Sequence, residues 1–209
     1  NKAIMKMVAD GFLLKREDRN KKDLYIQLLD YSALGEHVIP DEESLTKIVA
    51  EGEQPYGNNT KNIFRIINQL KIVQHHPEGR IPDGIIYING LPLVVIEFKS
   101  AIRKDPNIYE AYKQLTKRYK RDIPELFKYN AFCIVSDGVN NKSGSFFSDY
   151  NFFYAWRKVT GDEEKSVDGI SSLHSMIQGM LNKDRLTNII RNFIYIPDST
   201  EKNEKILCR

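Results

Sequence analysis

Two apolar runs separated by Asn89-Gly90 are the feature that most constrains the fold of this chain. The runs, residues 85–88 and 93–96, are short and rich in β-branched residues. An Asn-Gly pair between two such runs is the strongest local signal for a β-hairpin. We therefore predict an antiparallel hairpin here, and a third apolar run at residues 130–136 predicts a further, buried strand.

The sequence around this hairpin predicts helices and additional strands. Asp105-Pro106 has the form of a helix N-cap followed by a first-turn proline, and apolar residues at helical spacing predict a helix over residues 106–121. Other predicted elements are strands at 12–17, 23–31 and 62–73, a turn at 18–22, a mobile loop at 54–62, and helices at 41–50, 170–181 and 185–193, the last capped by Asp184. Together they predict an α/β fold in which helices flank a mixed β-sheet.

Composition excludes several classes of protein. Of the 209 residues 41% are hydrophobic and 28% charged, and no apolar run approaches the ~18 residues that span a bilayer. We therefore exclude collagen, coiled coils, membrane proteins and extensive disorder. The two cysteines cannot form a disulfide framework, and Cys133 lies inside an apolar run, so we expect a buried free thiol and a cytoplasmic protein.

The length fits one large domain, since domains usually have ~100–200 residues. We assign residues 1–193 to this domain and interpret residues 33–61 as an insertion or a mobile segment. The chain begins with Asn1 rather than Met, and its last residues continue a strand-like pattern. We therefore expect a part of a longer polypeptide, in which residues 194–209 begin a connection to a downstream domain.

Three charged residues lie where the apolar hairpin ends. Asp83 stands at the mouth of the first strand, and Glu97 and Lys99 close the second. Residues two apart in a strand project from the same face about 6.7 Å apart, so Glu97 and Lys99 point the same way. Two converging carboxylates suit Mg²⁺, and a neighbouring ammonium can orient water and offset charge on a scissile phosphate. The pattern indicates phosphodiester hydrolysis; the alternative is an ion pair without a catalytic role.

The register of the hairpin decides whether the two acids meet. In a regular hairpin with a two-residue Asn89-Gly90 loop, Asp83 lies opposite Ile96 and Glu97 faces the other way. The acids oppose each other only if a bulge or an odd loop shifts the register. We therefore predict an irregular hairpin, and the positions that favour an irregularity are Gly84, Gly90 and Pro92.

Basic residues are concentrated on and beside the helix predicted over 106–121. Although the net charge is only +3, seven of the 19 residues from 103 to 121 are basic, with Asp105 and Glu110 as the only acids among them. This density favours contact with a DNA backbone over a merely solvated helix face. The seven residues are Arg103, Lys104, Lys113, Lys117, Arg118, Lys120 and Arg121.

The segment Pro82-DGIIYINGLPLVVIEFKS resembles the restriction-subunit nuclease domain of type I restriction endonucleases. In that family a PD-(D/E)xK site lies in a hairpin that reads like NGLPLVVIE(L/F)K. The resemblance extends to residues 11–26, 114–138 and 188–196, and it leaves out a stretch near 33–61. It implies a restriction-endonuclease-like core, Asp83 and Glu97 as metal-binding acids, and Lys99 as the catalytic lysine.

The resemblance further implies a type I site-specific deoxyribonuclease that cleaves double-stranded DNA with Mg²⁺, or with Mn²⁺ as an alternative. ATP would act only through a motor domain outside this chain, downstream in the same polypeptide. Modification and specificity subunits would be partners, and a membrane would not. Two other interpretations stay open: a catalytically silent DNA-engaging or regulatory module, and a free-standing junction or repair nuclease.

Two details depart from the family pattern. The family tends to carry Gln and Tyr four residues apart on the helix after the lysine, whereas Gln114 and Tyr119 are five apart. In a regular helix this spacing turns Tyr119 about 100° away from the position four residues on. We therefore predict a DNA contact for Gln114, and for Tyr119 either core packing or a DNA contact. A further acid that related nucleases carry on an earlier helix has no convincing counterpart here.

Overall fold

The computed structural model describes residues 1–17, 22–34, 61–99, 108–160, 170–197 and 205–208. Within this part of the chain, a five-stranded sheet has the order β3-β4-β5-β6-β7. Its strands are β3 (Phe64–Asn68), β4 (Gly84–Ile88), β5 (Leu91–Phe98), β6 (Phe132–Ser136) and β7 (Asn141–Gly144). β5 and β6 pair in parallel and the other neighbours are antiparallel. The prediction of an α/β fold with a mixed sheet is confirmed.

Helices and two small ribbons surround this sheet. The helices are α1 (Lys2–Asp10), α2 (Ile108–Lys113), a π-helical segment (Gln114–Tyr119), α3 (Lys120–Asp122), α4 (Pro124–Lys128), α5 (Ile170–Gln178) and α6 (Lys183–Asn192). Short 3₁₀ turns span Ser32–Leu34 and Tyr150–Phe152, and the antiparallel ribbons pair β1 (Phe12–Leu14) with β2 (Leu24–Ile26) and β8 (Ile194–Tyr195) with β9 (Ile206–Leu207). Every helix in the described part of the chain is too short or too polar to form a bilayer span.

Most predicted elements have an observed counterpart. The predicted strands at 12–17, 23–31 and 62–73 contain β1, β2 and β3, although each observed strand is shorter. The predicted helix at 41–50 lies outside the described residues, as do most of the turn at 18–22 and of the loop at 54–62.

Side chains of the three central strands alternate between two hydrophobic layers. The layer shared with α1, α5 and α6 contains Ile86, Ile88, Val94, Ile96, Phe132 and Ile134. The layer shared with the helices between Ile108 and Lys128 contains Ile85, Val95, Cys133 and Val135. Because helices cover both faces, these strands are continuous apolar runs in the sequence. The predicted burial of Cys133 is confirmed, and burial raises the pKa of its thiol to about 12.

The β4–β5 hairpin is irregular. Beside the Asn89-Gly90 loop, Ile88 pairs with Leu91 and Tyr87 with Pro92, but beyond a bulge Ile86 pairs with Val94 and Gly84 with Ile96. Both loop residues have positive φ, as a two-residue hairpin turn requires. The bulge follows Pro92, a residue without an N–H to donate to the ladder. The predicted irregularity is confirmed, and it shifts Asp83 to the position opposite Glu97.

The start of α6 corrects one prediction. The N-cap is Asn182, whose side chain accepts hydrogen bonds from the backbone N–H groups of Asp184 and Arg185. Asp184 lies inside the first turn, where an acid is favourable because of the helix dipole. The prediction that Asp184 caps the helix was therefore wrong, because two good capping residues stand two positions apart and the chain turns at the first.

Candidate active site

The structure brings Asp83, Glu97 and Lys99 together at the carboxyl end of β5. The backbone N–H of Phe98 donates to Asp83 Oδ2 at 2.7 Å, which ties the mouth of β4 to the end of β5. The Lys99 Nζ atom lies 3.0 Å from Glu97 Oε1. The backbone of Lys99 is held as well, because its N–H donates to Ser136 O at 2.7 Å. All three residues proposed from the sequence therefore lie at the same end of the central strands.

Glu97 is a carboxylate held out of water. Burial raises its pKa above the ordinary value, the hydrogen bond from Lys99 opposes this shift, and the negative charge of Asp83 adds to it. Its Oε2 atom is buried and accepts no hydrogen bond from any described residue. A buried acceptor without a partner is destabilising, by ~1–3 kcal/mol or more for a charged group. The geometry therefore leaves one carboxylate oxygen available for a cation.

The donor set fits a hard divalent cation. Asp83 and Glu97 offer carboxylate oxygens, which are the ligands that Mg²⁺ prefers, and the orphaned Glu97 Oε2 is a vacant acceptor. Among the described residues no group of three or more His, Cys, Asp or Glu side chains is arranged around a metal position. A two-carboxylate site is nevertheless typical of Mg²⁺, which keeps several waters and binds substrate phosphates as well.

Gln114 joins the acid and the lysine. Its Oε1 atom accepts a hydrogen bond from Lys99 Nζ at 2.7 Å, and its Nε2 atom donates to Glu97 Oε1. The same Nε2 atom donates to the Tyr119 hydroxyl at 2.6 Å. We call Asp83, Glu97 and Lys99 the acid-lysine cluster. The structure places Gln114 against this cluster, while the DNA contact expected for it stays a prediction.

Tyr119 reaches this cluster because the helix is not regular. Residues Gln114–Tyr119 form a π-helix, in which hydrogen bonds join residues five apart instead of four. The prediction that a five-residue spacing would turn Tyr119 away from Gln114 was wrong, since it assumed an α-helical period. The buried Tyr119 ring also packs in the hydrophobic layer between the sheet and the helices from Ile108 to Lys128, which confirms the core-packing interpretation. Burial raises the pKa of its hydroxyl, which stays protonated and donates to Ile81 O at 3.0 Å.

The basic residues on this helical stretch have different surroundings. Lys117, Arg118 and Lys120 are exposed. Arg121 is exposed as well, but its Nε atom donates to Asp122 Oδ1 at 2.6 Å, and Lys113 forms an ion pair with Glu110 at 2.5 Å. Arg103 and Lys104 lie outside the described residues. An exposed cationic helix next to the acid-lysine cluster is compatible with a DNA backbone nearby, and each of these contacts stays a prediction.

The family profile described as "Type I restriction enzyme R protein N terminus" matches residues 1–152, a range that includes the whole acid-lysine cluster. The chain belongs to this family. It is 32% identical over 188 residues to the HindI endonuclease subunit of Haemophilus influenzae, in an alignment that covers 88% of this chain and 17% of that subunit. It is 26% identical over 211 residues to the subunit named MjaIXP of Methanocaldococcus jannaschii, which covers 92% of this chain and 18% of that protein.

Family membership confirms the resemblance to type I restriction subunits, while the PD-(D/E)xK assignment stays a prediction. The alignments also show that the chain spans less than a fifth of the length of these two relatives. Sequence reasoning did not foresee that the Tyr119 hydroxyl contacts the site. The available signal was the Gln-Tyr pair itself, one residue longer than the family pattern, which a π-helical turn accommodates.

Proposed function

We propose that this chain is the endonuclease part of a type I restriction enzyme R subunit and cleaves phosphodiester bonds of double-stranded DNA. The observation that carries the proposal is the bulged hairpin, which sets Asp83 opposite Glu97 and leaves a buried Glu97 oxygen without a partner beside Lys99. Membership in the R-protein family and the description of its relatives as endonuclease subunits support the same function.

Asp83 and Glu97 would hold Mg²⁺, or Mn²⁺ in its place. When bound, the metal supplies Lewis-acid polarisation of the scissile phosphate and lowers the pKa of a bound water. Glu97 Oε1 accepts hydrogen bonds from Lys99 and Gln114, so Oε2 would be the oxygen that this residue offers to a metal.

Lys99 would orient the attacking water and offset negative charge on the phosphate. An ammonium group has three N–H donors, and two of them are used on Glu97 Oε1 and Gln114 Oε1. The third is left for a water or a phosphate oxygen. Because Gln114 and Glu97 hold the other two, the ammonium needs no reorganisation when the reaction begins.

Functions of the complete enzyme would lie beyond these residues. ATP would be used by a motor elsewhere in the polypeptide, and the target sequence would be read with the modification and specificity subunits. The basic helical stretch would contact the DNA backbone without reading bases, because phosphate contacts carry no sequence information.

Calorimetric titration of the native polypeptide with Mg²⁺ and Mn²⁺ tests the site. Asp83→Asn and Glu97→Gln keep the shape of each side chain but remove its charge, and we expect metal affinity to fall at least about tenfold in each. Lys99→Ala should keep metal binding and lose cleavage. Glu125→Gln, a change at an exposed acid on α4, is the matched control and should bind metal as the wild type does.

Equal metal affinity in the wild type, Asp83→Asn and Glu97→Gln would refute the proposal. It would instead favour the catalytically silent module, in which Lys99 and Glu97 form only a structural ion pair. Rapid, ATP-independent cleavage that Lys99→Ala abolishes would favour the free-standing nuclease.

A further inference from the structure

Asp122, at the end of α3, contacts a loop that lies just upstream of Asp83. The Arg80 side chain donates to Asp122 Oδ2 from Nε at 2.6 Å, and a second guanidinium nitrogen lies 2.6 Å from the same oxygen. The backbone carbonyl of Asp122 accepts a hydrogen bond from the backbone N–H of His75 at 3.1 Å. One buried residue is therefore bonded to two points of the loop, five residues apart.

This loop has a closed shape of its own. Ile72 and Arg80 form a two-way backbone bridge, with N···O distances of 2.8 and 2.7 Å. Gly79 turns the chain with φ of +75°, and a side chain at this position would meet Ile72 O at 2.8 Å. The bridge to Ile72 therefore restrains the backbone of Arg80, which lies three residues before Asp83.

Two successive residues of the segment from Arg80 to Asp83 are bonded to the helical stretch between Gln114 and Asp122. Arg80 is bound to Asp122, and Ile81 O accepts the hydrogen bond from the Tyr119 hydroxyl. Pro82 follows, and its ring restricts φ. Asp83 O then accepts a hydrogen bond from Gln69 N at 3.2 Å, on the side of β3. The same helical stretch carries Gln114, which holds Glu97 and Lys99.

We propose that Asp122 is a positioning residue, which acts through Arg80 to hold Asp83 opposite Glu97. The proposal rests on the proposed function, because it concerns the metal site of these two acids. The Arg80–Asp122 pair links the segment that ends at Asp83 to the helices whose Gln114 contacts Glu97 and Lys99. Backbone bonds hold this segment to Ile72 and Gln69, while the Arg80–Asp122 pair and the Tyr119 bond to Ile81 are the contacts that join it to the helices carrying Gln114.

The test compares Asp122→Asn and Arg80→Gln with the wild-type native polypeptide, by Mg²⁺ and Mn²⁺ calorimetry and by DNA cleavage. We expect metal affinity to fall about tenfold, as is typical when a group supporting metal ligands is removed. We also expect kcat to fall while KM for DNA stays within about twofold. Arg80→Lys, which retains a cation, should recover part of both losses.

A purely structural role would give a different result. Thermal unfolding of each variant identifies loss of stability, and the titrations are done at temperatures where the variant is folded. A lower Tm with unchanged metal affinity would overturn the proposal. Glu125→Gln breaks an ion pair of 2.7 Å on the adjacent helix α4, between two half-exposed side chains, and it should change neither quantity.

Asp83→Asn separates this proposal from the function on which it rests. If Asp83→Asn loses metal affinity and Asp122→Asn does not, the positioning role is refuted and the proposed function stands. If neither change alters metal binding, both are refuted. In the expected result the two losses are less than additive in the double variant, because both act on the same ligand.

Discussion

The two ends of the parallel pair β5–β6 each hold a buried charged residue, and they use it differently. At the carboxyl end, Glu97 is 2% exposed and lies with Asp83, Lys99 and Gln114. At the amino end, Lys205 is also 2% exposed, and it donates to Asn130 O at 2.5 Å. Its Nζ atom lies 4.8 Å from the centre of the Phe146 ring.

Desolvation acts on both residues in the same sense, towards the neutral form. It raises the pKa of Glu97, and it lowers the pKa of Lys205 from 10.5 to about 7. The two residues differ in the partners of their polar atoms. Lys205 Nζ contacts a carbonyl oxygen and the face of an aromatic ring, whereas Glu97 has one oxygen without a partner among the described residues. Burial of a charge therefore does not by itself indicate a catalytic site; the role proposed for Glu97 rests instead on an oxygen without a partner beside Asp83 and Lys99.

The strongest test of this contrast is loss of cleavage. Lys99→Ala should lower the rate of DNA cleavage by the complete enzyme by roughly 10²–10³, the usual effect of removing one preorganised charge or donor. Lys205→Met removes a more deeply buried lysine from the other end of the strands, and it should leave the rate within about twofold. Plasmid cleavage assays measure both. Equal losses in the two variants would show that the ends do not differ in function.

Two tyrosine hydroxyls extend the contrast to neutral groups. Tyr119→Phe removes the bonds to Gln114 and Ile81, and we expect cleavage to fall about tenfold, as for other groups that support a metal site. Tyr112→Phe is the matched control, because its hydroxyl donates to Ser148 O at 3.0 Å without contacting Gln114, Glu97 or Lys99. Each change should lower the free energy of unfolding by ~1 kcal/mol. A similar fall in cleavage for both would mean that only stability matters.

Lys205 should give the protein a pH-dependent stability. Its pKa is about 7 in the folded state and 10.5 in the unfolded state, so between these values the unfolded chain binds more protons. The free energy of unfolding should therefore rise with pH across this window, by up to ~1.4 kcal/mol per pH unit, and become constant below pH 7. Urea unfolding at pH 7 and pH 9 measures the change, and Lys205→Met should remove it. An unchanged pH dependence in that variant would show that Lys205 stays charged.

The smallest effect concerns the exposed cations near the carboxyl end. Lys117→Ala should reduce the slope of DNA affinity against salt by ~0.9, the contribution of one phosphate contact, without altering base preference. Lys128→Ala, on α4, is the control and should leave the slope unchanged. If Lys117→Ala behaves like this control, the residue belongs to a solvated face.

The sequence predicts the carboxyl end well because its determinants are local. The Asn89-Gly90 turn and the two apolar runs define the hairpin, and Glu97 and Lys99 project together because strand side chains alternate. Even the bulge followed from the sequence, since the two acids meet only if the register shifts. The family relationship was also readable, because the same hairpin carries its signature.

Tertiary structure alone decided the rest, because it depends on segments far apart in the chain. The π-helical turn that brings Tyr119 to Gln114 exists where that ring packs in the core and its hydroxyl meets Ile81, 38 residues away. Arg80 and Asp122 are 42 residues apart, and Lys205 reaches a carbonyl 75 residues away. No local pattern encodes such partners, since each requires a strand or helix to be in place before the contact forms. The sequence determined which groups could react, and the packing of distant segments decided which of them meet.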